Sequence, residues 1–121
     1  MSKKILVVDD SKSMRSMIAM TLKQDGYDVS EAEDGVQALE IVKSETFDAV
    51  MSDVNMPNMG GIEFVKNLKQ ISSYKFIPVI FLTTESGQDM KEKGKSVGAT
   101  GWMVKPFKPE SIIKTMQKVL H

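Results

Sequence analysis

Ile5-Leu6-Val7-Val8-Asp9-Asp10-Ser11 reads as an unbroken apolar run that ends on two carboxylates. A strand with one wet face alternates apolar and polar residues, whereas a strand covered on both faces is continuously apolar. Ile5 to Val8 is therefore expected to be a buried strand. Ala49-Val50-Met51, Val79-Ile80-Phe81-Leu82 and the shorter Trp102-Met103-Val104 follow the same pattern. Each of these runs is soon followed by a polar residue with chemistry to offer: Asp53, Thr83 and Lys105.

The segments between the runs have helical spacing. Met14, Met17, Ile18 and Leu22 recur at i, i+3, i+4, as do Leu39 with Val42, Val65 with Leu68, and Ile112, Ile113, Met116, Val119 and Leu120. Ser11 with Lys12 opens the first helix, Pro109 with Glu110 opens the last, and Gly26 and Gly98 mark helix ends. Asp28-Val29-Ser30-Glu31-Ala32 alternates and is polar, which places it at a sheet edge. The stretch from Gln88 to Val97 is a weak helix with few apolar residues, and Gly94 interrupts it. Five βα units in series imply an α/β fold, a parallel sheet with helices on both faces.

Composition narrows the function. The 121 residues suit one domain, with enough chain to bury a core without staples. Sixteen basic and sixteen acidic residues cancel, so neither nucleic acid nor an anionic membrane is expected as a partner. With no cysteine, thiolate catalysis, disulfides and cysteine-ligated metals are excluded. The one histidine, His121, rules out a multi-histidine metal site and is a poor start for a catalytic triad. No secretory or membrane-spanning segment is evident, and a cytoplasmic protein is expected.

In open parallel sheets, ligands bind beyond the carboxyl ends of the strands. Asp9, Asp10 and Asp53 converge on one rim if the first and third strands are neighbours. Each has a plainer use: Asp9 and Asp10 as helix caps, Asp53 as a turn former with Asn55 and Pro57, Thr83 as a cap and Lys105 as an exposed charge. Taken together they favour a site, since clustered carboxylates repel one another unless a cation intervenes. Oxygen donors without His or Cys suit a hard ion, and a partial protein shell suits Mg²⁺. A carboxylate in such a setting can attack phosphorus to give an aspartyl phosphate, with an ammonium such as Lys105 balancing the charge.

The ordered set Val7-Val8-Asp9-Asp10-Ser11, Asp53-Val54-Asn55-Met56-Pro57, Gly60-Gly61, Leu82-Thr83-Thr84-Glu85, Gly98-Ala99 and Lys105-Pro106-Phe107 resembles the receiver domains of two-component response regulators. Within them it is most similar to stand-alone chemotaxis regulators of the CheY type. The resemblance spans the chain and implies a single receiver domain over 1–121 with a flavodoxin-like fold. Its strand order, 2-1-3-4-5, is the one known for flavodoxin and CheY themselves and is carried over from the resemblance.

The resemblance also implies roles. Asp53 is the phosphoacceptor, Asp10 and Asp53 bind Mg²⁺ with the backbone carbonyl of Asn55, and Asp9 acts through a metal-bound water. Thr83 and Lys105 contact the phosphoryl group, and Lys105-Pro106 is a cis peptide. Trp102 stands where the family has its switch aromatic, usually Tyr or Phe, while Asn55 and Glu85 modulate loss of the phosphoryl group. The implied partners are a chemotaxis histidine kinase and a target such as a flagellar motor switch protein. The target is met on the surface of the fourth helix, fifth strand and fifth helix by a monomer that is not itself an enzyme.

Three other functions fit parts of the pattern. A haloacid-dehalogenase-like phosphatase resembles Asp-x-Asp, but Asn55 replaces the second aspartate and there is no length for a cap. A flavodoxin-like electron carrier needs a phosphate-cradling loop where Asp9 and Asp10 would repel the phosphate. A phosphorelay shuttle shares the chemistry and differs only in partners. Of the ten methionines, Met14 and Met17 are read as core filler, and Met56 and Met59 border the acceptor loop.

Overall fold

The computed structural model describes residues 2–84 and 88–120. In chain order the elements are β1 (Lys4–Val8), α1 (Lys12–Gln24), β2 (Asp28–Ala32), α2 (Gly35–Ser44), β3 (Ala49–Asp53) and α3 (Gly61–Leu68). A short 3-10 turn (Ser72–Tyr74) leads to β4 (Val79–Thr83), α4 (Gln88–Ser96), β5 (Gly101–Val104) and α5 (Pro109–Val119). All strand pairs are parallel, in the order β2-β1-β3-β4-β5. The expected α/β architecture and strand order are both present.

Alternation along the strands sorts the core into two layers. Leu6, Val8, Val50, Val79 and Phe81 point to one face and pack with Ala38, Val42, Phe64, Val65 and Leu68 of α2 and α3. Ile5, Val7, Ala49, Met51, Ile80 and Leu82 point to the other and pack with Ile18 and Leu22 of α1 and Ile112 and Met116 of α5. The runs of β1, β3 and β4 thus serve both layers at once, whereas β5, expected to follow the same pattern, lies at the sheet edge opposite β2 with only Met103 buried and Val104 exposed. At the edge, β2 carries a polar strip with only Ala32 fully buried.

Helix boundaries follow their caps. Ser11 caps α1, its hydroxyl accepting from the Met14 amide, so neither Asp9 nor Asp10 fills that role. Gly26 and Gly98 both have positive φ, +93° and +91°, where a side chain is disfavoured. α4 ends at Ser96, one residue short of the expected Val97. Gly94 in α4 is buried against Phe81, which gives the glycine a packing role that its sequence context hides. Met14 and Met17 pack on the α1/α5 layer, Met56 and Met59 on the α2/α3 layer, in line with filler.

Candidate functional site

Register brings the polar rim together. Val8 pairs with Ser52 and Asp53 with Leu82, so Asp9 and Asp53 leave adjacent strands at the same height. Asp9, Asp10 and Asp53 each present a carboxylate oxygen within 4.8 Å of the others. Asp9 is fully buried, Asp53 is 8% exposed, and Asp10 is exposed to solvent. One carboxylate is thus open to the medium while two are held inside.

Lys105 answers the two inner charges. The Lys105 amide donates to the Thr83 carbonyl at 2.7 Å, extending the β4–β5 ladder by one rung. From there its side chain reaches across β4, placing Nζ 3.2 Å from Asp9 Oδ2 and 3.4 Å from Asp53 Oδ2. The remaining oxygens are also engaged: Asp9 Oδ1 accepts from the Ser11 amide at 2.9 Å, and Asp53 Oδ1 from the Val54 amide at 2.9 Å. The Lys105-Pro106 peptide is cis, as expected.

Burial raises the Asp53 pKa, and the neighbouring Asp9 raises it further; Lys105 and the Val54 amide pull the other way, leaving it at about 6. Asp53 is therefore largely ionised at neutral pH but held at a cost that a bound cation would relieve. The donor set fits Mg²⁺: three carboxylates, one of them exposed to solvent, suit a hard ion that keeps several waters.

The other expected residues that are described differ in burial. Thr83 is buried at the end of β4, and Asn55 is exposed two residues beyond Asp53. Trp102 lies on β5 opposite Phe81, half-buried, with Lys91 Nζ 4.9 Å above its ring. Glu85 lies outside the described residues. Gly61 is required by close approach: a Cβ there would overlap the Asp53 carbonyl oxygen.

Two supports were not legible. Arg15, the sole arginine, donates from Nη1 to the Asp9 carbonyl at 2.7 Å and from Nε to Glu31 at 3.2 Å. Nothing in its local sequence marks it, because both partners are set by tertiary packing. Asp34 caps α2 through the Gln37 amide and also accepts from Asn58 in the loop after β3. The cap has a sequence signal in Asp34-x-x-Gln37, a relative of the capping box, but the contact with Asn58 does not.

The description "response regulator receiver domain" matches residues 5–117. A chemotaxis protein CheY homolog of Campylobacter jejuni is 40% identical over 119 residues, covering 97% of this chain and 92% of that protein. Chemotaxis protein CheY1 of Helicobacter pylori is 41% identical over 119 residues, covering 97% and 96% respectively. The structure of Vibrio cholerae chemotaxis protein CheY4 superposes with a TM-score of 0.97 at 52% identity, covering 99% of this chain and 100% of that one. With five strands in that order and this carboxylate–lysine rim, the chain belongs to the response regulator receiver domain family, among the relatives of CheY.

Proposed function

We propose that residues 1–121 act as one receiver domain that takes a phosphoryl group from a histidine kinase onto Asp53 and signals by changing the surface it offers a target. The reading is carried by one observation: Lys105 Nζ bridges Asp9 and Asp53 at 3.2 and 3.4 Å. An ammonium so placed balances two buried carboxylates now and the charge of a phosphoryl group after transfer.

In this scheme an Asp53 carboxylate oxygen bonds phosphorus while the P–N bond to the kinase histidine breaks, the electron pair leaving with the imidazole. Asp10, Asp53 and the Asn55 carbonyl would hold Mg²⁺, with Asp9 acting through a bound water; the ion would supply positive charge to the phosphoryl oxygens. Thr83 would donate its hydroxyl to one phosphoryl oxygen, and Lys105 would follow another. Asn55 and Glu85 would tune how long the phosphoryl group persists.

The CheY relatives support a chemotaxis role, which makes a chemotaxis histidine kinase and a flagellar motor switch protein the proposed partners. We place the protein in the cytoplasm as a monomer; among the described residues no helix is long and apolar enough to cross a membrane.

Acetyl phosphate with Mg²⁺, borohydride trapping and mass spectrometry test the acceptor. Label is expected on Asp53 alone and lost in Asp53→Asn. Undiminished label in that variant would move the acceptor elsewhere.

A further inference from the structure

The loop that joins β3 to α3 is pinned at two places. At its base the Gly61 amide donates to the Val54 carbonyl at 2.8 Å, closing the loop on itself. Farther out it is fastened to the start of α2. Asn58 Nδ2 donates to Asp34 Oδ2 at 2.8 Å, and the Gly35 amide donates to the Met59 carbonyl at 3.0 Å. A Cβ on Gly35 would come within 2.7–2.9 Å of Met59, so the two backbones are pressed together.

Capping alone does not account for Asp34. A cap uses one oxygen, and Oδ1 already fills that role on the Gln37 amide at 2.8 Å. The second oxygen is given to Asn58, although Asp34 is only 8% exposed and sits on another βα unit. Asn58 holds a φ of +66°, a left-handed conformation that is uncommon outside glycine but open to asparagine. The strained residue and the buried carboxylate meet three positions beyond Asn55. Between the two pins lies the segment whose carbonyl is assigned to the metal.

We propose that Asp34 and Asn58 are a positioning pair that holds the 54–60 loop, and with it the Asn55 carbonyl, in the geometry the metal site needs. The proposal rests on the reading of that carbonyl as a metal ligand. Such outer partners commonly matter tenfold or more to affinity, because they set ligand orientation in advance of binding.

Calorimetric titration with Mg²⁺, with thermal unfolding measured alongside, tests it. Asn58→Gly removes the amide, suits positive φ and leaves the α2 cap and the site's net charge alone. Asp34→Ser keeps a capping oxygen and removes the one that holds Asn58. Each is expected to weaken Mg²⁺ binding about tenfold, and the double variant no more than the weaker single. The exchange Asp34→Asn with Asn58→Asp restores donor and acceptor with their positions reversed and should recover most of the affinity. Glu40→Gly lowers the helix propensity of α2 without touching the loop, so it should lower the melting temperature and leave Mg²⁺ affinity at the wild-type value. Wild-type affinity in both Asn58→Gly and Asp34→Ser would overturn the pairing, as would an equal loss in Glu40→Gly. Wild-type protein that binds no Mg²⁺ would overturn the metal assignment itself, and the pairing with it.

Discussion

Asp53 and Asp34 are both 8% exposed, yet their surroundings push them in opposite directions. Burial and Asp9 raise the Asp53 pKa from 3.8 to about 6, whereas the Gln37 amide and the Asn58 side chain lower that of Asp34. Between those pH values the folded state binds a proton at Asp53 more tightly than the unfolded chain does. This contribution therefore makes the metal-free protein lose stability as pH rises from about 4 through about 6. Asp34 has the reverse sign: its stabilisation is complete above the unfolded pKa and is lost as acid protonates the cap. Asp53→Asn should thus stabilise the metal-free protein at pH 7 by about 1–2 kcal/mol, after allowing for solvent screening, and by almost nothing at pH 4. Asp34→Ala should cost about 1 kcal/mol at pH 7 and progressively less in acid. Urea unfolding of the three proteins across this range measures both trends; parallel curves would contradict them. Mg²⁺ affinity should also fall as pH drops below about 6, because protons compete for Asp53. At this scale Asp9, Asp10, Asp53 and Thr83 were legible because each follows a buried apolar run, and Lys105 because it follows the short apolar run of β5, although Val104 there is exposed. Arg15 and the Asp34–Asn58 contact were not, since they join segments that only the folded chain brings together.

Among the elements, two glycines with similar sequence credentials do different work. Gly61 opens α3 beneath the Asp53 carbonyl, where no Cβ fits, while Gly94 lies in α4 with 3.4–3.6 Å between a built Cβ and the Phe81 ring. Gly61→Ala must displace the backbone that carries Asp53, and a loss of about 3 kcal/mol is expected, at the upper end for overpacking. Gly94→Ala adds an ordinary contact and removes the helix penalty of glycine, for a gain of up to about 1 kcal/mol. Thermal unfolding reads both signs, and slower amide exchange along α4 should accompany the second. Destabilisation by Gly94→Ala would show that α4 cannot sit at this distance from the sheet once a methyl is present. β1, β3 and β4 were legible because burial on both faces leaves continuous apolar runs, β2 because it alternates as an edge strand does, and the parallel pairing because strands and helical spacings alternate along the chain. The place of α4 was legible to within one residue at its end; its close seat on Phe81 was not, because a glycine in a polar helix does not reveal what it touches. The 3-10 turn at Ser72–Tyr74 was also hidden: Tyr74 is buried there and its hydroxyl donates to the Val42 carbonyl at 2.9 Å, a contact 32 residues away in sequence.

Across the whole molecule the rim connects the site to the α4 side of the sheet. Lys105 at the end of β5 reaches back to Asp9 beyond β1, and Thr83 at the end of β4 pairs with Val104. Thr83 and Phe81 share a face of β4 by alternation, and Trp102 is the register partner of Phe81. Thr83 and Lys105 therefore both adjoin the strand that carries the indole. Trp102 is half-buried against the α2/α3 core layer, with the Lys91 ammonium 4.9 Å above its ring. The resemblance implies Tyr or Phe where this chain carries Trp102, and indole is larger than either ring. Inward rotation then meets an overpacking cost of about 1–3 kcal/mol. Moving a population from ~1:99 to ~99:1 takes about 5.5 kcal/mol, so in the switch role that the resemblance implies for Trp102 such a cost would leave the change incomplete. Trp102 is accordingly expected to become less accessible on activation without being fully enclosed. Beryllofluoride with Mg²⁺ stands in for the phosphoryl group, and the emission belongs to one residue because the chain has a single tryptophan. Iodide quenching should fall on its addition and stay constant in Thr83→Ala. Lys91→Ala should alter quenching in the resting protein, since the ammonium both covers the ring and attracts the anionic quencher. Unchanged quenching in the wild type, with beryllofluoride binding established independently, would show that Trp102 is static and that the change of surface is carried elsewhere on the α4 side.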